Sequence, residues 1–424
     1  MLHRVLCLLF GLVASLTAVY NKNVMGLLGA FKKKQRILFA EAFPGTIRAA
    51  IAEAAIPDGA VKIVDATVRH FNFPLQQSDL LMDELLRAFG YFKTKKRLSV
   101  ALALHNDAAV TTRLKAAVSR MNTGNTLQEP ELEDLLFKAQ WRIFDKGRSA
   151  ISAKMGIHDL DLHLADAKVE EVRLDGHRVI NPTGFRPRLV EFDITNTFIS
   201  KRFIHLFRQR LGPARPVELV IERNAALVNA MLRFLKRESA VVASVSHSQA
   251  AIAVVDRENL IYQQHFTWGN SSLIHAMGHL FTVRLSTARK ILERYADGRV
   301  SMNVRRKIEK SLAAELSLFF QGVEIALESL KPKHQLPQTI CINQEQAMPP
   351  LVASRMKAHK WPKTIFKTAP EVIVLRPDFL SVQLKLNHPL PNSLTALLSE
   401  FLYGNRGEKY LNSLLNKRIR WLEV

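Results

Sequence analysis

Cysteine is almost missing from this 424-residue chain: it has two, Cys7 and Cys341, each inside an apolar run. That count allows neither a disulfide framework nor a cysteine-based zinc site, and it fits a reducing compartment. Acidic residues are short as well. Sixty lysines and arginines face 38 aspartates and glutamates, giving a formal net charge of +22 and a pI near 10.1. Such a field favours anionic partners, either nucleic acid or an acidic membrane surface. The basic clusters Lys32–Arg36 and Lys93–Arg97 lack the interleaved aromatics of a single-strand-binding surface, which argues against nucleic acid. No Walker A pattern, H-E-x-x-H or G-x-S-x-G is present. Low-complexity tracts and short repeats are missing too. What remains is ordinary for a globular protein: 48% apolar and 23% charged, with length for two or three domains and a large core.

Two distant stretches have the same form. Val5–Asn21 and Val241–Leu260 each contain an apolar run, a few small or weakly polar residues, and a second apolar run ending at a polar turn. Both read as buried hairpins. The first has a second reading, because a basic start and about 15 apolar residues are also the dimensions of a signal peptide. Gly11, Ser15 and Thr17 interrupt the run and no A-x-A site follows, which favours the hairpin; the run is too short to span a membrane as a helix.

Between and beyond the hairpins, elements alternate. Thr46–Ala55 reads as a helix, Val61–Val68 as a strand and Ser78–Phe92 as a helix with Leu81, Met82, Leu85, Leu86 and Phe89 on one face. Residues 98–197 form a compact α/β module. It holds the long helix Glu129–Arg148, strands at Asp159–Leu164, Val169–Leu174 and Leu189–Asn196, and the loop Asn181-Pro182-Thr183-Gly184. In His158–His163 the leucines and polar residues alternate, which is a half-buried strand and not a metal site. A helix at Phe198–Leu211, a strand at Val217–Ile221 and a helix at Asn224–Lys236 lead to the second hairpin. Residues 271–330 are mostly helical, Gln338–Asn343 is a strand and Pro349–His359 a helix. The tail reads as strands at Glu371–Leu375 and Ser381–Leu386, then helices at Leu394–Tyr403 and Lys409–Leu422.

This order of hairpin, inserted module, second hairpin and helical block resembles the FtsA branch of the actin-like ATPase superfamily, whose architecture PilM-like proteins share. The most specific stretch is Val169–Ser200, where Asp175, Gly176, Pro182, Gly184 and Leu189 match in order and spacing. Leu219–Met231 is similar to the segment in which a strand ends in Glu and an Ala-rich helix follows. Gly269-Asn270 stands where the family has Gly-Gly. The resemblance covers about residues 5 to 360. It implies an α/β, duplicated actin-like (ribonuclease H-like) fold with an inserted small α/β subdomain. The first half would occupy residues 1–97 and 198–236, with the insertion at 98–197. The second half would occupy 237–370, with its helical block at 271–330, and the C-terminal strands and helices 371–424.

Such an ATPase needs backbone amides near the phosphates and carboxylates for hydrated magnesium. The family's Asp-x-Gly-Thr falls on Leu9-Phe10-Gly11-Leu12, which keeps only Gly11. Its Asp-x-Gly-Gly-Gly-Thr falls on Ser244, Val245, Ser246, His247, Ser248 and Gln249, and its Gly-Gly-Gly on Gln344, Glu345 and Gln346. The expectation is a pseudo-ATPase without cofactor, weak ATP binding through Ser246, His247 and Ser248 staying open.

In Lys409–Leu422, Leu411, Leu414, Leu415, Ile419 and Leu422 share a helical stripe beside Trp421, with Lys417, Arg418 and Arg420 at the rim. A helix of that kind suits an anionic membrane surface, and FtsA-like proteins end in one. A terminal helix docked on the body is the other reading of the same stripe. The resemblance therefore implies a cytoplasmic scaffold, peripheral on the inner face of the cell membrane. Its partners would be divisome proteins such as FtsZ, or, on the PilM-like alternative, pilus proteins met through a groove for a short peptide. Self-association and a divergent ATPase with a rewritten site are further expectations.

Overall fold

The computed structural model describes residues 34–55, 60–75, 77–92, 98–212, 216–257, 259–330, 335–345, 349–404 and 409–419. Strands β1 (Lys34–Phe43) and β2 (Thr46–Ala55) pair antiparallel, Phe43 opposite Thr46 across the Pro44-Gly45 turn. Gly45 has φ +75, the left-handed value a type II turn requires after proline. These strands open the first sheet. The hairpin expected at Val5–Asn21, with Leu9, Gly11 and Leu12 in its turn, lies outside the described residues. Thr46–Ala55, read as a helix for its alanines, is a strand. Ala49, Ala50, Ala52 and Ala54 are buried on it, and packing inside a sheet overrides their helical preference.

The first sheet runs β3-β2-β1-β4-β9, with β3 at Ala60–His70, β4 at Ser99–Leu104 and β9 at Val217–Glu222. β4 and β9 are parallel to β1. The second sheet repeats the plan as β12-β11-β10-β13-β14: β10 (Ala240–Val245), β11 (Ala250–Asp256) and β12 (Asn259–Phe266) form an antiparallel meander. β13 (Thr339–Gln344) and β14 (Glu371–Leu375) continue it in parallel. This is the expected duplication. All six residues of β4, β10 and β13 are buried, as sheets covered on both faces demand.

Helices α1 (Ser78–Tyr91) and α3 (Lys201–Leu211) cover one face of the first sheet. α4 (Arg223–Leu235) and α10 (Asn392–Tyr403) form the layer shared by both sheets: Ala226 and Leu397 pack on the first, Leu227, Met231 and Ala396 on the second. The far face of the second sheet carries α5 (Asn270–Phe281), α6 (Leu285–Ala296), α7 (Met302–Glu328) and α8 (Pro350–Ala358). α9 (Phe379–Gln383) stands where a strand at Ser381–Leu386 was expected.

The insertion is a four-stranded sheet, β5-β8-β6-β7, with β5 at Ala109–Ser119, β6 at Leu162–Leu174, β7 at His177–Val179 and β8 at Leu189–Ser200. It starts after Leu104, because β4 pairs with β1 and β9 and so belongs to the first half. α2 (Glu129–Met155) covers this sheet, and α11 (Lys409–Ile419) packs beside α2. Leu411, Leu414 and Leu415, expected to enter a membrane, are 0%, 6% and 1% exposed in the core of the insertion. The Asn412 side chain also accepts the Val169 amide at 2.7 Å. The stripe that reads as a lipid-facing surface is satisfied by a protein surface of the same apolar character. Lys417, Arg418 and Ile419 continue α11, and Arg420 and Trp421 lie outside the described residues. Among the described residues no helix is long and apolar enough to cross a membrane.

Candidate functional site at the seam between the halves

Where the ends of β1, β9 and β13 meet, three charged residues from apolar strands converge. Glu41 projects from β1, Arg223 opens α4 directly after β9, and Glu345 follows β13; Glu41 is wholly buried, Arg223 and Glu345 nearly so. Arg223 Nε donates to Glu41 Oε2 at 2.7 Å, and its Nη2 reaches Glu345 Oε1. Arg48 on β2 donates to Glu41 Oε1 at 2.9 Å and lies 3.8 Å from Glu345 Oε2. Ser393 Oγ, from α10, donates to the same Glu41 oxygen at 3.0 Å. Both guanidinium carbons stand 4.6 Å from the centre of the Phe43 ring, a cation–π arrangement that shields the cluster. Two cations thus match two anions at a largely buried position.

Burial alone would raise the Glu41 carboxyl; Arg223 and Arg48 outweigh it and hold it below its ordinary value. The same balance, with Glu345 and Glu41 prevailing over burial, raises the Arg223 guanidinium. A buried pair so neutralised offers no free carboxylate to a metal ion.

The turn after β10 is equally occupied. Ser246 Oγ donates to the Gln249 carbonyl at 2.9 Å. The first amides of α5, Asn270 N and Ser271 N, donate to the carbonyls of Ser246 and His247 at 3.1 and 2.7 Å. Helix-start amides are ready anion donors, and here the turn itself consumes two of them. Gly269 makes that approach possible: a Cβ there would stand 2.6 Å from both carbonyl oxygens. Burial, then Arg289, pushes the His247 imidazole down. Ser244 is buried within β10 and Ser248 half-buried in the turn. Gln344, expected in a third turn, is the last residue of β13, paired with Val245. Gln346 lies outside the described residues.

A second polar cluster crosses the seam. His105 Nε2 and Gln249 Oε1 are 2.8 Å apart, one from each half. Glu222, at the end of β9, takes the Thr111 amide at 2.9 Å and the Gln263 side-chain amide. Burial raises its carboxyl. Burial and the neighbouring His105 bring His265 down to about 3, so this histidine is neutral.

Two cavities flank the seam. One of about 420 Å³ lies between α5, α6 and Pro349, with Arg289 and Glu293 in its wall. The other, about 510 Å³, is a groove between the insertion (Thr111, Thr112, Thr195) and α4 (Asn229, Arg233, Lys236).

The seam residues found by motif reading are therefore Ser244, Ser246, His247, Ser248 and Glu345. Missed were Glu41, Arg48, Arg223 and Ser393. The available signal was a lone acid in the apolar run Ile37–Phe43 and a Glu-Arg pair ending another, because a charge buried in a strand needs a partner.

No known family profile and no curated protein matches the chain. Solved structures do. The PilM–PilN type IV pilus biogenesis complex matches with a TM-score of 0.53 at 13% identity, over 92% of this chain and 99% of that one. The ethanolamine utilization protein EutJ from Carboxydothermus hydrogenoformans gives 0.40 at 10%, over 86% and 90%. A Bacteroides thetaiotaomicron protein of unknown function with an actin-like ATPase fold gives 0.34 at 10%, over 84% and 96%. The fold is the duplicated actin-like ATPase fold.

Proposed function

We propose that this chain is a non-catalytic, PilM-like platform: an actin-like body whose nucleotide seam is closed by protein charges and which serves to hold another protein. The observation that carries this reading is the Arg223 network. Actin-like chemistry needs carboxylates free to hold hydrated magnesium, and here Glu41 and Glu345 are bound to Arg223 and Arg48, while Glu222 is taken by the Thr111 amide and the Gln263 side chain. The amides that open α5 are spent on the turn as well.

Likeness to PilM in its complex with PilN supports a role in a type IV pilus or secretion assembly over one in cell division. The division scaffold expected from sequence relies on a lipid-facing terminal helix, and three leucines of that helix lie in the core of the insertion. The partner element would be a short extended peptide from a membrane protein, held in the groove between the insertion and α4. β5 is an edge strand beside that groove, and edge strands accept extended peptides through main-chain hydrogen bonds.

The test is a photo-crosslinking residue at Thr195, with a second at exposed Met121 as control. The expected product is a membrane protein joined through a cytoplasmic peptide, only from Thr195. A synthetic copy of that peptide should bind the chain and lose about tenfold affinity with Arg233→Glu. Equal crosslinking from both positions would contradict the groove as the site.

A further inference from the structure

Part of the excess positive charge of this protein is gathered on the side of α6 and the start of α7 turned away from the groove beside the insertion. Between Arg284 and Lys310, the stretch of α6 and the start of α7, nine lysines and arginines stand against three carboxylates. Two of the three are already paired: Asp297 with Arg299 at 2.5 Å and Glu309 with Arg305 at 2.9 Å. Lys290, Arg294, Arg306, Lys307 and Lys310 are exposed and have no ion pair among the described residues. Tyr295 Oη donates to Glu309 Oε1 at 3.4 Å, which ties α6 to α7 and brings the two sets of cations together.

Apolar side chains stand among them. Leu285 opens α6 and is 46% exposed; Met302 opens α7 and is 65% exposed. Leu285 stands at the first turn of α6 and Met302 at the first turn of α7. Cations flanked by exposed aliphatic groups suit a lipid surface, where the heads meet phosphates and the aliphatic tips enter the acyl boundary. A single-stranded nucleic acid would call for stacking rings, and no aromatic side chain is among the exposed residues of this surface.

We infer that the outer surface of α6 and the first turns of α7 docks on an anionic phospholipid bilayer. The contact goes beyond the peptide-platform reading and does not depend on it. It would hold the body at the membrane with α11 still packed on the insertion, so attachment needs no free terminal helix.

The experiment is flotation of the full chain with vesicles of phosphatidylglycerol and phosphatidylcholine, beside pure phosphatidylcholine vesicles. The reference is the variant Lys290→Glu, Arg294→Glu, Lys307→Glu, Lys310→Glu, whose folding is checked by thermal melting because all four positions are exposed. Wild type should float only with the anionic vesicles, and the variant should lose about a hundredfold in partition. Leu285→Ser with Met302→Ser should lose flotation chiefly at high salt, where the aliphatic contribution remains. Flotation of the folded charge-reversed variant at wild-type level overturns the inference, as does wild-type flotation with neutral vesicles. Duplex DNA that binds wild type more tightly than the anionic vesicles, and fails with the variant, overturns it in favour of nucleic acid.

Discussion

Arg223 decides the character of the seam, since removing it leaves two buried carboxylates sharing Arg48 as their one remaining cation. Arg223→Met should cost about 3–5 kcal/mol of stability, seen as a lowered urea midpoint. Adding Glu41→Gln and Glu345→Gln to it should restore most of that loss, because the cost comes from the orphaned charges. Glu41 also sets an acid limit. Its folded carboxyl titrates below the ordinary 4.5, so below that pH the unfolded chain gains its proton first. Stability contributed by Glu41 is present above that value and is lost as pH falls through the folded one; Glu41→Gln should flatten the acid side of the melting-temperature profile. Asp166 acts in the opposite direction. Burial pushes its carboxyl up to about 7 from 3.8, so across that window the folded chain keeps a proton the unfolded chain has released. Stability must therefore fall as pH rises through it. Asp166→Asn should raise the melting temperature by several degrees (about 2–4 °C) above about pH 8 and leave it unchanged below about pH 3. Little of this was legible in sequence. A lone Glu41 in an apolar strand announces a partner, but nothing in the residue order says that it lies 182 positions away.

Among the elements, the second hairpin, the helical block, β13 and β14 were legible, because runs of buried Val, Ile and Ala between turn residues fix strand pairing. Two elements went the other way for a common reason. The apolar pattern of Thr46–Ala55, and that of α11, says that a surface is buried without naming what covers it. In β2 the cover is α1 on one face and α10 on the other; in α11 it is the insertion. Leu411→Ala should accordingly cost about 2–5 kcal/mol. Its readout is loss of protease protection in both α11 and the insertion, with lipid flotation unchanged. A helix anchored in lipid would show the reverse: unchanged stability and weakened flotation.

At the scale of the whole molecule, one plan appears twice, and the layer of α4 and α10 joins the copies. The duplication was visible in the second hairpin and in the order of elements, and the position of the first hairpin was not. The seam carries Arg223 and Arg48 against Glu345, and His105 against Gln249, and under the proposed reading these contacts stand in place of a ligand. On the proposed platform reading, the body would not open and close with nucleotide. The most direct test is equilibrium dialysis of the full chain against radiolabelled ATP, with magnesium and with chelator, accompanied by phosphate release at high protein concentration. The account predicts no saturable magnesium-dependent binding at millimolar ATP and no release above background. Saturable binding that requires magnesium and brings phosphate release with it would contradict the closed seam.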